Sequence, residues 1–187
     1  MGNRGILHNE KNEIVRPWAH KAWVTCLLEF KGYKRSKPFS TGNYSELFFL
    51  DEATGLAAGH RPCGHCQRAR HLEFKDAWLR ANLPEGASRS ALITELDRQL
   101  HAERAIPGGQ KQTFEAKLSE LPLGTFFDMD SVAYLVTARG YLPWSFEGYG
   151  DPTAITTDTK VNVLTPRSII RAISEGYDPK VHSSAKR

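Results

Sequence analysis

Apolar residues recur with two different periods in this chain, and the period predicts strands in some segments and helices in others. Residues 22–30 are rich in β-branched and aromatic side chains, and Lys31-Gly32 follows them as a turn signal. This pattern predicts a strand that enters a hairpin, with Cys26 in mid-strand. A second short strand is predicted over residues 46–50, after the turn cluster at 40–43.

Two helices are predicted in the segment that follows these strands. Asp51 stands at an N-cap position, and Gly59 stands where a left-handed residue would end a short Ala-rich helix. Further on, Phe74, Ala77 and Trp78 recur at steps of three and four residues. This spacing aligns them in one stripe and predicts a helix from Cys66 to about residue 81.

Residues 82–86, with the sequence Asn-Leu-Pro-Glu-Gly, interrupt the helical pattern and mark the best candidate boundary between two parts of the chain. We therefore divide the chain into residues 1–83 and 84–187, two parts that could also pack as one domain. After the boundary, Ser88 or Ser90 can cap a further helix. Its apolar face is supplied by Leu92, Ile93, Leu96 and Leu100, and it stops at residues 106–109.

The last third of the chain has mainly strand character. Strands are predicted over residues 131–137, 141–146 and 160–164. Thr165-Pro166 then provides an N-cap and a first-turn proline for a helix that Gly176 ends. The fold class predicted from these elements is α+β: an N-terminal module of hairpin, short helix, CxxC loop and helix, then a helix and a small antiparallel sheet with one packed helix.

Composition places the chain among ordinary globular proteins. It has 187 residues, of which 40% are hydrophobic and 25% charged, which suffices for a core and disfavours disordered or collagen-like classes. No apolar run reaches the roughly 18 residues of a spanning helix, and the N-terminus lacks the apolar centre of a signal peptide. We expect no membrane association and a cytoplasmic location, where cysteines stay reduced.

Cys63 and Cys66 carry the most specific chemical signal. Two thiols at C-x-x-C spacing in a Gly-containing turn can bind one tetrahedral Zn²⁺, and the start of the following helix lowers the pKa of a thiol. The same spacing suits a redox dithiol, but no βαβ pattern surrounds it. A pair of unligated core cysteines is the third possibility, and the polar character of the loop argues against it.

A zinc site needs further ligands, and only Cys26 remains as a third sulfur. The hairpin strand would bring it beside the CxxC loop, which leaves a histidine as the fourth ligand. The candidates are His20, His60, His65 and His71. His60 and His20 are preferred, because one lies next to the cysteine loop and the other enters the strand that carries Cys26.

The sequence of residues 47–67 is Leu-Phe-Phe-Leu-Asp-Glu-Ala-Thr-Gly-Leu-Ala-Ala-Gly-His-Arg-Pro-Cys-Gly-His-Cys-Gln. It resembles the second half of the zinc-binding N-terminal domain of Ada DNA-repair proteins, which has a strand, a short Ala-rich helix and then Arg-Pro-Cys-x-x-Cys. The resemblance implies that Cys63 and Cys66 ligate zinc, and that Arg61 and nearby basic residues lie close to a DNA backbone.

The chain departs from the Ada pattern upstream of this segment. Members of that family supply two more cysteines from a C-x-x-x-C motif, one of which accepts a methyl group from DNA. Here Cys26 is followed four positions later by Phe30. Because an all-sulfur site cannot form within one chain, the methyl-acceptor role is not transferred to Cys26.

Charge favours an anionic partner at the front of the chain. The net charge is +4, and the first 43 residues hold eight basic and three acidic residues. The residues predicted to contact the phosphates of DNA are Lys31, Lys34, Arg35, Arg61 and Arg68. The alternative is that the lysines and arginine of residues 31–37 only solvate an exposed hairpin.

Two other segments carry a structural and a chemical interpretation. His101 and Glu103 could act as acid and base, but residues two apart on a helix diverge, so they are expected to be mostly solvated. The aromatic residues of segment 142–149 could stack on bases or anchor a loop, and a hydrophobic anchor is the commoner case.

Three functions are consistent with this sequence. The leading one is a nucleic-acid-associated protein with a structural zinc. The second is an enzyme, in which zinc keeps an open position or Cys26 acts as a nucleophile. The third is an interaction module that does not bind nucleic acid. Metal removal and salt-dependent DNA binding separate the first from the others.

Overall fold

A computed structural model describes residues 1–84 and 93–186 of the chain and shows a mixed α+β fold. The helices are α1 (Glu52–Ala57), α2 (Arg68–Asn82), α3 (Ile93–Arg104) and α4 (Arg167–Ser174). The predicted caps Ser88 and Ser90, and Leu92, fall outside the described residues. No helix in the described ranges is both long enough and apolar enough to cross a membrane.

Strands of the N-terminal part form two small sheets. The first contains β1 (Gly2–Asn3), β2 (Val24–Thr25) and β5 (Arg61–Pro62), and the second pairs β3 (Glu29–Phe30) with β4 (Tyr33–Lys34). Lys31 and Gly32 both have positive φ, so they form the predicted two-residue hairpin turn. The predicted single strand over residues 22–30 is instead two short strands separated by residues 26–28, so the prediction that Cys26 lies in mid-strand is wrong.

The predicted strand over residues 46–50 is wrong. Leu47 forms one isolated bridge to Gly2, and the neighbouring residues are not in a strand. Glu46 in this segment is buried. Its carboxylate is turned into the protein, where it forms an ion pair with Arg35 and accepts the N–H of Phe39. Local contacts of this segment replace a regular ladder.

A six-stranded antiparallel sheet forms the second half of the fold. Its strands are β6 (Phe114–Lys117), β7 (Phe126–Met129), β8 (Val132–Thr137), β9 (Gly140–Ser145), β10 (Gly148–Tyr149) and β11 (Lys160–Val163). Their order is β10-β9-β8-β7-β11-β6. The predicted strands of the last third are confirmed as β8, β9 and β11. Alternating apolar positions such as Val161 and Val163 are buried, as the period of a strand requires.

Helix α4 starts differently from its prediction. The helix begins at Arg167, and Thr165 does not cap it, because the Thr165 hydroxyl accepts the backbone N–H of Phe126 on β7. Instead the Glu103 carboxylate of α3 accepts both the backbone N–H and the hydroxyl of Ser168, at 2.9 and 2.6 Å. Glu103 is therefore a structural link between two helices, contrary to the expectation of a mostly solvated group.

One apolar cluster joins residues from both sides of position 84. Trp78 and Phe74 on α2 contact buried side chains of α3 and α4, including Leu100 and Ile169. Each of these four side chains is fully buried. The stripe on α2 predicted from its spacing is thus the face that holds the N-terminal part against the rest of the protein.

Candidate metal centre

Two parallel strands bring Cys26 and Cys63 together. Thr25 on β2 is paired with Pro62 on β5, so each cysteine is the first residue after its strand at the same end of the small sheet. The amide of Cys63 donates to the Thr25 carbonyl at 3.0 Å and continues the ladder by one step. The register of this pair therefore places Cys26 and Cys63 side by side, at the ends of two neighbouring strands.

A tight turn then returns Cys66 to the same place. The Gln67 amide donates to the Cys63 carbonyl at 3.0 Å, which closes a helical turn before α2. The Gln67 side-chain amide also donates to the Thr25 carbonyl at 2.7 Å. Gln67 thus fastens the CxxC turn to strand β2, a role that the sequence did not indicate.

The sulfur atoms of Cys26, Cys63 and Cys66 all lie within 4.8 Å of one another. All three side chains are half-buried, and none forms a disulfide. Thiolates at this separation suit a tetrahedral thiophilic ion, with Zn–S bonds of about 2.3 Å. The residues therefore fit a metal ion as three sulfur ligands.

Backbone amides around the cluster favour the ligating form of the thiols. The Leu27 amide donates to Cys66 Sγ at 3.3 Å, and the His65 amide donates to Cys63 Sγ at 3.4 Å. The pKa of Cys63 is lowered to about 4, first by a hydrogen bond from Cys26 and then, against burial, by the amides of Cys66 and His65. The hydrogen bond to Cys63 and burial raise the pKa of Cys26. Of the three thiols, Cys63 is thus the one whose pKa is lowered, whereas the pKa values of Cys26 and Cys66 are raised.

The two preferred histidines do not join the sulfur cluster. His60 is fully buried, its Nε2 accepts Arg4 Nε at 3.2 Å, and its ring lies against Trp23 and Phe49. Burial, Arg4 and Arg104 lower its pKa well below the usual value. His20 is exposed, and its carbonyl accepts the indole N–H of Trp23. The group of close ligand atoms in the described residues contains cysteines only.

Two other candidate histidines lie in the CxxC turn and in the first turn of α2. His65 lies within the CxxC turn, is exposed, and packs edge-on against Phe30. His71 Nδ1 lies 3.1 Å from the Pro62 carbonyl, one turn into α2. Neither ring belongs to the group of close ligand atoms.

A cavity of about 420 Å³ opens beside the sulfur cluster and is lined by all three cysteines. Arg35, Lys31 and Tyr44 contribute to its wall. The Arg35 guanidinium lies 4.3 Å from the Tyr44 ring, and its Nε forms a 2.8 Å ion pair with Glu46. Burial and the neighbouring Cys26 raise the pKa of Tyr44 to about 12, against the opposing effect of Arg35. No local sequence pattern pointed to Tyr44.

The basic residues predicted to contact DNA fall into two groups. Lys31, Lys34 and Arg68 are exposed. Arg61 is buried, and its guanidinium donates to both carboxylate oxygens of Asp97, at 2.8 and 2.7 Å. Arg35 is held by Glu46. Three of the five side chains are thus free to meet a partner, and Arg61 and Arg35 have structural partners inside the protein.

Comparison with known proteins found no matching family model, no matching curated protein and no matching solved structure. The interpretation of the candidate metal centre therefore depends on the geometry of Cys26, Cys63 and Cys66 alone. The resemblance of segment 47–67 to the Ada domain stays a prediction.

Proposed function

We propose that this chain is a zinc-binding protein that associates with nucleic acid through the basic hairpin beside its metal centre. The observation that carries the proposal is the gathering of three cysteine sulfurs within 4.8 Å. Thiolate ligands select thiophilic ions over Mg²⁺ or Ca²⁺. Among the thiophilic metals, Zn²⁺ is suited to a structural site because it has no redox chemistry. Cys26, Cys63 and Cys66 would hold the ion and thereby tie β2 to the turn before α2.

The experiment that tests zinc binding is elemental analysis of the purified protein, followed by X-ray absorption at the zinc edge. We expect one zinc ion per chain with three sulfur scatterers. Cys26→Ser should remove one of those scatterers, whereas His60→Gln and His20→Gln should leave the coordination sphere unchanged. A protein purified without zinc, or a sphere that Cys26→Ser does not alter, would contradict the proposal.

The nucleic-acid part of the proposal is supported by exposed groups on the β3–β4 hairpin. Lys31 and Lys34 are exposed there, and Tyr33 between them is 67% exposed. Cations attract phosphate, and an exposed aromatic ring can stack on an unpaired base. Arg68 lies at the start of α2, directly after the CxxC turn. The hairpin and the metal centre are joined, because Phe30 and Lys31 line the cavity beside the cysteines.

Fluorescence anisotropy with labelled duplex and single-stranded DNA over a range of salt concentrations tests this part. Each lost phosphate contact reduces the slope of log K against log salt by about 0.9 on duplex DNA. The Lys31→Ala/Lys34→Ala double variant should therefore reduce the slope by about two. Lys160→Ala, an exposed lysine on β11, is the control. Binding that does not respond to salt would contradict the proposal.

A second candidate function, a metal-dependent enzyme, is favoured by the cavity that all three cysteines line. Three protein ligands leave one tetrahedral position for an external molecule. In cobalt-substituted protein, added thiocyanate should change the visible d–d bands if that position exchanges. Bands that do not respond would indicate a closed site and exclude the enzyme.

A further inference from the structure

A second cavity lies beside helix α1, and its lining is separate from the sulfur cluster. Its volume is about 340 Å³, within the range of roughly 300–1,000 Å³ typical of small-molecule pockets. It is formed by residues 48–50, the end of α1 and strands β7 to β9, and Cys26, Cys63 and Cys66 are not part of it. Five aromatic side chains line it: Phe48, Phe49, Phe126, Trp144 and Phe146.

The aromatic residues at the edge of this cavity are unusually exposed. Phe146 is 91% exposed and Phe48 is 60% exposed. Phe146 packs edge-on against Trp144, with ring centroids 4.9 Å apart. The sequence pattern of segment 142–149 favoured a hydrophobic anchor. Leu142 and Tyr149 are buried and fit that description, and Trp144 is half-buried, but Phe146 does not fit it. An exposed phenyl ring beside an apolar cavity is suited to contact a bound apolar molecule.

Two hydrogen-bond donors belong to the same lining. The Lys111 ammonium donates to the Ala57 carbonyl at 2.7 Å, its only hydrogen bond among the described residues. An ammonium has three N–H groups, so two remain for another acceptor. The indole N–H of Trp144 is buried and has no partner in the described part of the chain.

The charge around Lys111 is unbalanced. The lining of the cavity in the described residues contains no Asp or Glu. Although part of the Lys111 side chain is exposed, its ammonium is turned towards α1, and burial, Arg4 and Arg104 lower its pKa to about 7. An anion bound next to the Lys111 ammonium would offset both the desolvation of that ammonium and its repulsion by Arg4 and Arg104.

We propose that this cavity binds a small aryl carboxylate, with the aromatic body against Trp144 and Phe146 and the carboxylate at Lys111. The five aromatic rings favour an aromatic body, because offset and edge-to-face ring contacts add to apolar burial. The Lys111 cation, with no Asp or Glu in the cavity lining of the described residues, favours an anionic end. This site is independent of the metal centre.

Isothermal titration calorimetry on the full chain with three matched probes tests the proposal. The probes are 3-phenylpropionate, 3-phenylpropan-1-ol and 3-phenylpropan-1-amine, which share the aryl body and differ in the charge of the end group. We expect the carboxylate to bind about tenfold more tightly than the alcohol, the effect of one charge-assisted hydrogen bond, and the amine to bind most weakly. Equal affinity for the carboxylate and the alcohol would overturn the proposal, and so would the absence of carboxylate binding.

Variants locate the binding. Lys111→Met keeps the length of the side chain, and it should reduce carboxylate affinity about tenfold while leaving alcohol affinity unchanged. Lys117→Met, which removes an exposed lysine on β6 paired with Asp158, is the matched control. A Lys111→Met protein that binds the carboxylate like wild type would overturn the assignment. Sedimentation of the ligand-free protein provides a further check. A dimer that dissociates on Phe146→Ser would overturn the proposal, because a second copy of the chain would then cover the cavity.

Discussion

Arg61 and Asp97 form a buried two-point ion pair that joins strand β5, directly before the CxxC turn, to helix α3. The guanidinium Nε and Nη2 lie 2.8 and 2.7 Å from the two carboxylate oxygens. Both side chains are more than nine-tenths buried, at 7% and 8% exposed. Strand β5, which positions Cys63, is therefore held in place by Asp97, a residue 36 positions further along the chain.

Asp97→Ala should destabilise the protein by about 3–5 kcal/mol, because it leaves the Arg61 charge buried without a partner. Urea unfolding followed by circular dichroism measures the loss. Glu95→Ala is the control on the same helix, since it removes an exposed pair with Arg98 and should have no measurable effect. Equal midpoints for the two variants would contradict a structural role of the Arg61 pair.

Metal removal should loosen the cysteine loops and leave the large sheet intact. Hydrogen exchange with and without a zinc chelator measures this. The amides of Leu27 and His65, which donate to the cysteine sulfurs, should exchange faster after chelation. The amide of Phe126, which donates to Thr165 within the C-terminal part, should keep its protection. Unchanged exchange at Leu27 and His65 would contradict metal binding by these cysteines.

His60 should make the protein less stable in acid. Its pKa is lowered well below 6.5 by burial, Arg4 and Arg104, so the unfolded chain takes up a proton at a higher pH than the folded protein. The stabilising contribution of neutral His60 is thus complete above pH 6.5 and is lost as the pH falls towards the folded pKa.

In His60→Gln, the difference in free energy of unfolding between pH 7.5 and pH 5.5 should be smaller than in wild type. His20→Gln, which replaces an exposed imidazole, should keep the wild-type pH dependence. Parallel pH dependences for wild type and His60→Gln would contradict this explanation.

Gly59 is required by both its backbone and its surroundings. Its φ is +78°, and a Cβ atom there would lie 2.4 Å from Arg104 Cδ. Gly59→Ala should cost about 1–2 kcal/mol for the left-handed backbone and a further 1–3 kcal/mol for overpacking. Gly176→Ala separates the two costs, because Gly176 has a φ of +97° with no atom within 4 Å of the added Cβ. Thermal unfolding should show the larger loss for Gly59→Ala.

Glu103 should stabilise α4 from outside the helix. Its carboxylate accepts the N–H and hydroxyl of Ser168 in the first turn of α4. Glu103→Ala should cost about 1 kcal/mol, the usual effect of losing an N-cap acceptor. Glu103→Gln retains an acceptor oxygen and should recover part of the loss. Denaturant unfolding that shows no loss for Glu103→Ala would contradict this link.

Local patterns predicted most of the regular elements correctly. The Asp51 cap, the left-handed Gly59, the Lys31-Gly32 turn and the stripe on α2 are all observed, because each depends on neighbours within a few positions. The segment at 46–50 failed for the opposite reason. Its apolar residues resemble a strand, but Leu47 forms a single bridge to Gly2, and Glu46 is turned inwards to Arg35.

The sequence by itself determined the α+β class, the CxxC turn and the candidacy of Cys26, because spacing and residue type are local information. Tertiary structure decided which residues meet. The parallel pairing of Thr25 with Pro62 placed Cys26 beside Cys63, and the burial of His60 against Trp23 kept that histidine out of the cluster. The tertiary structure also pairs Arg61, which the sequence predicted to contact phosphate, with Asp97 inside the protein. The sequence alone tells which side chains are charged. The group that pairs with each charge depends on which surfaces are buried together on folding, because a buried charge requires a partner.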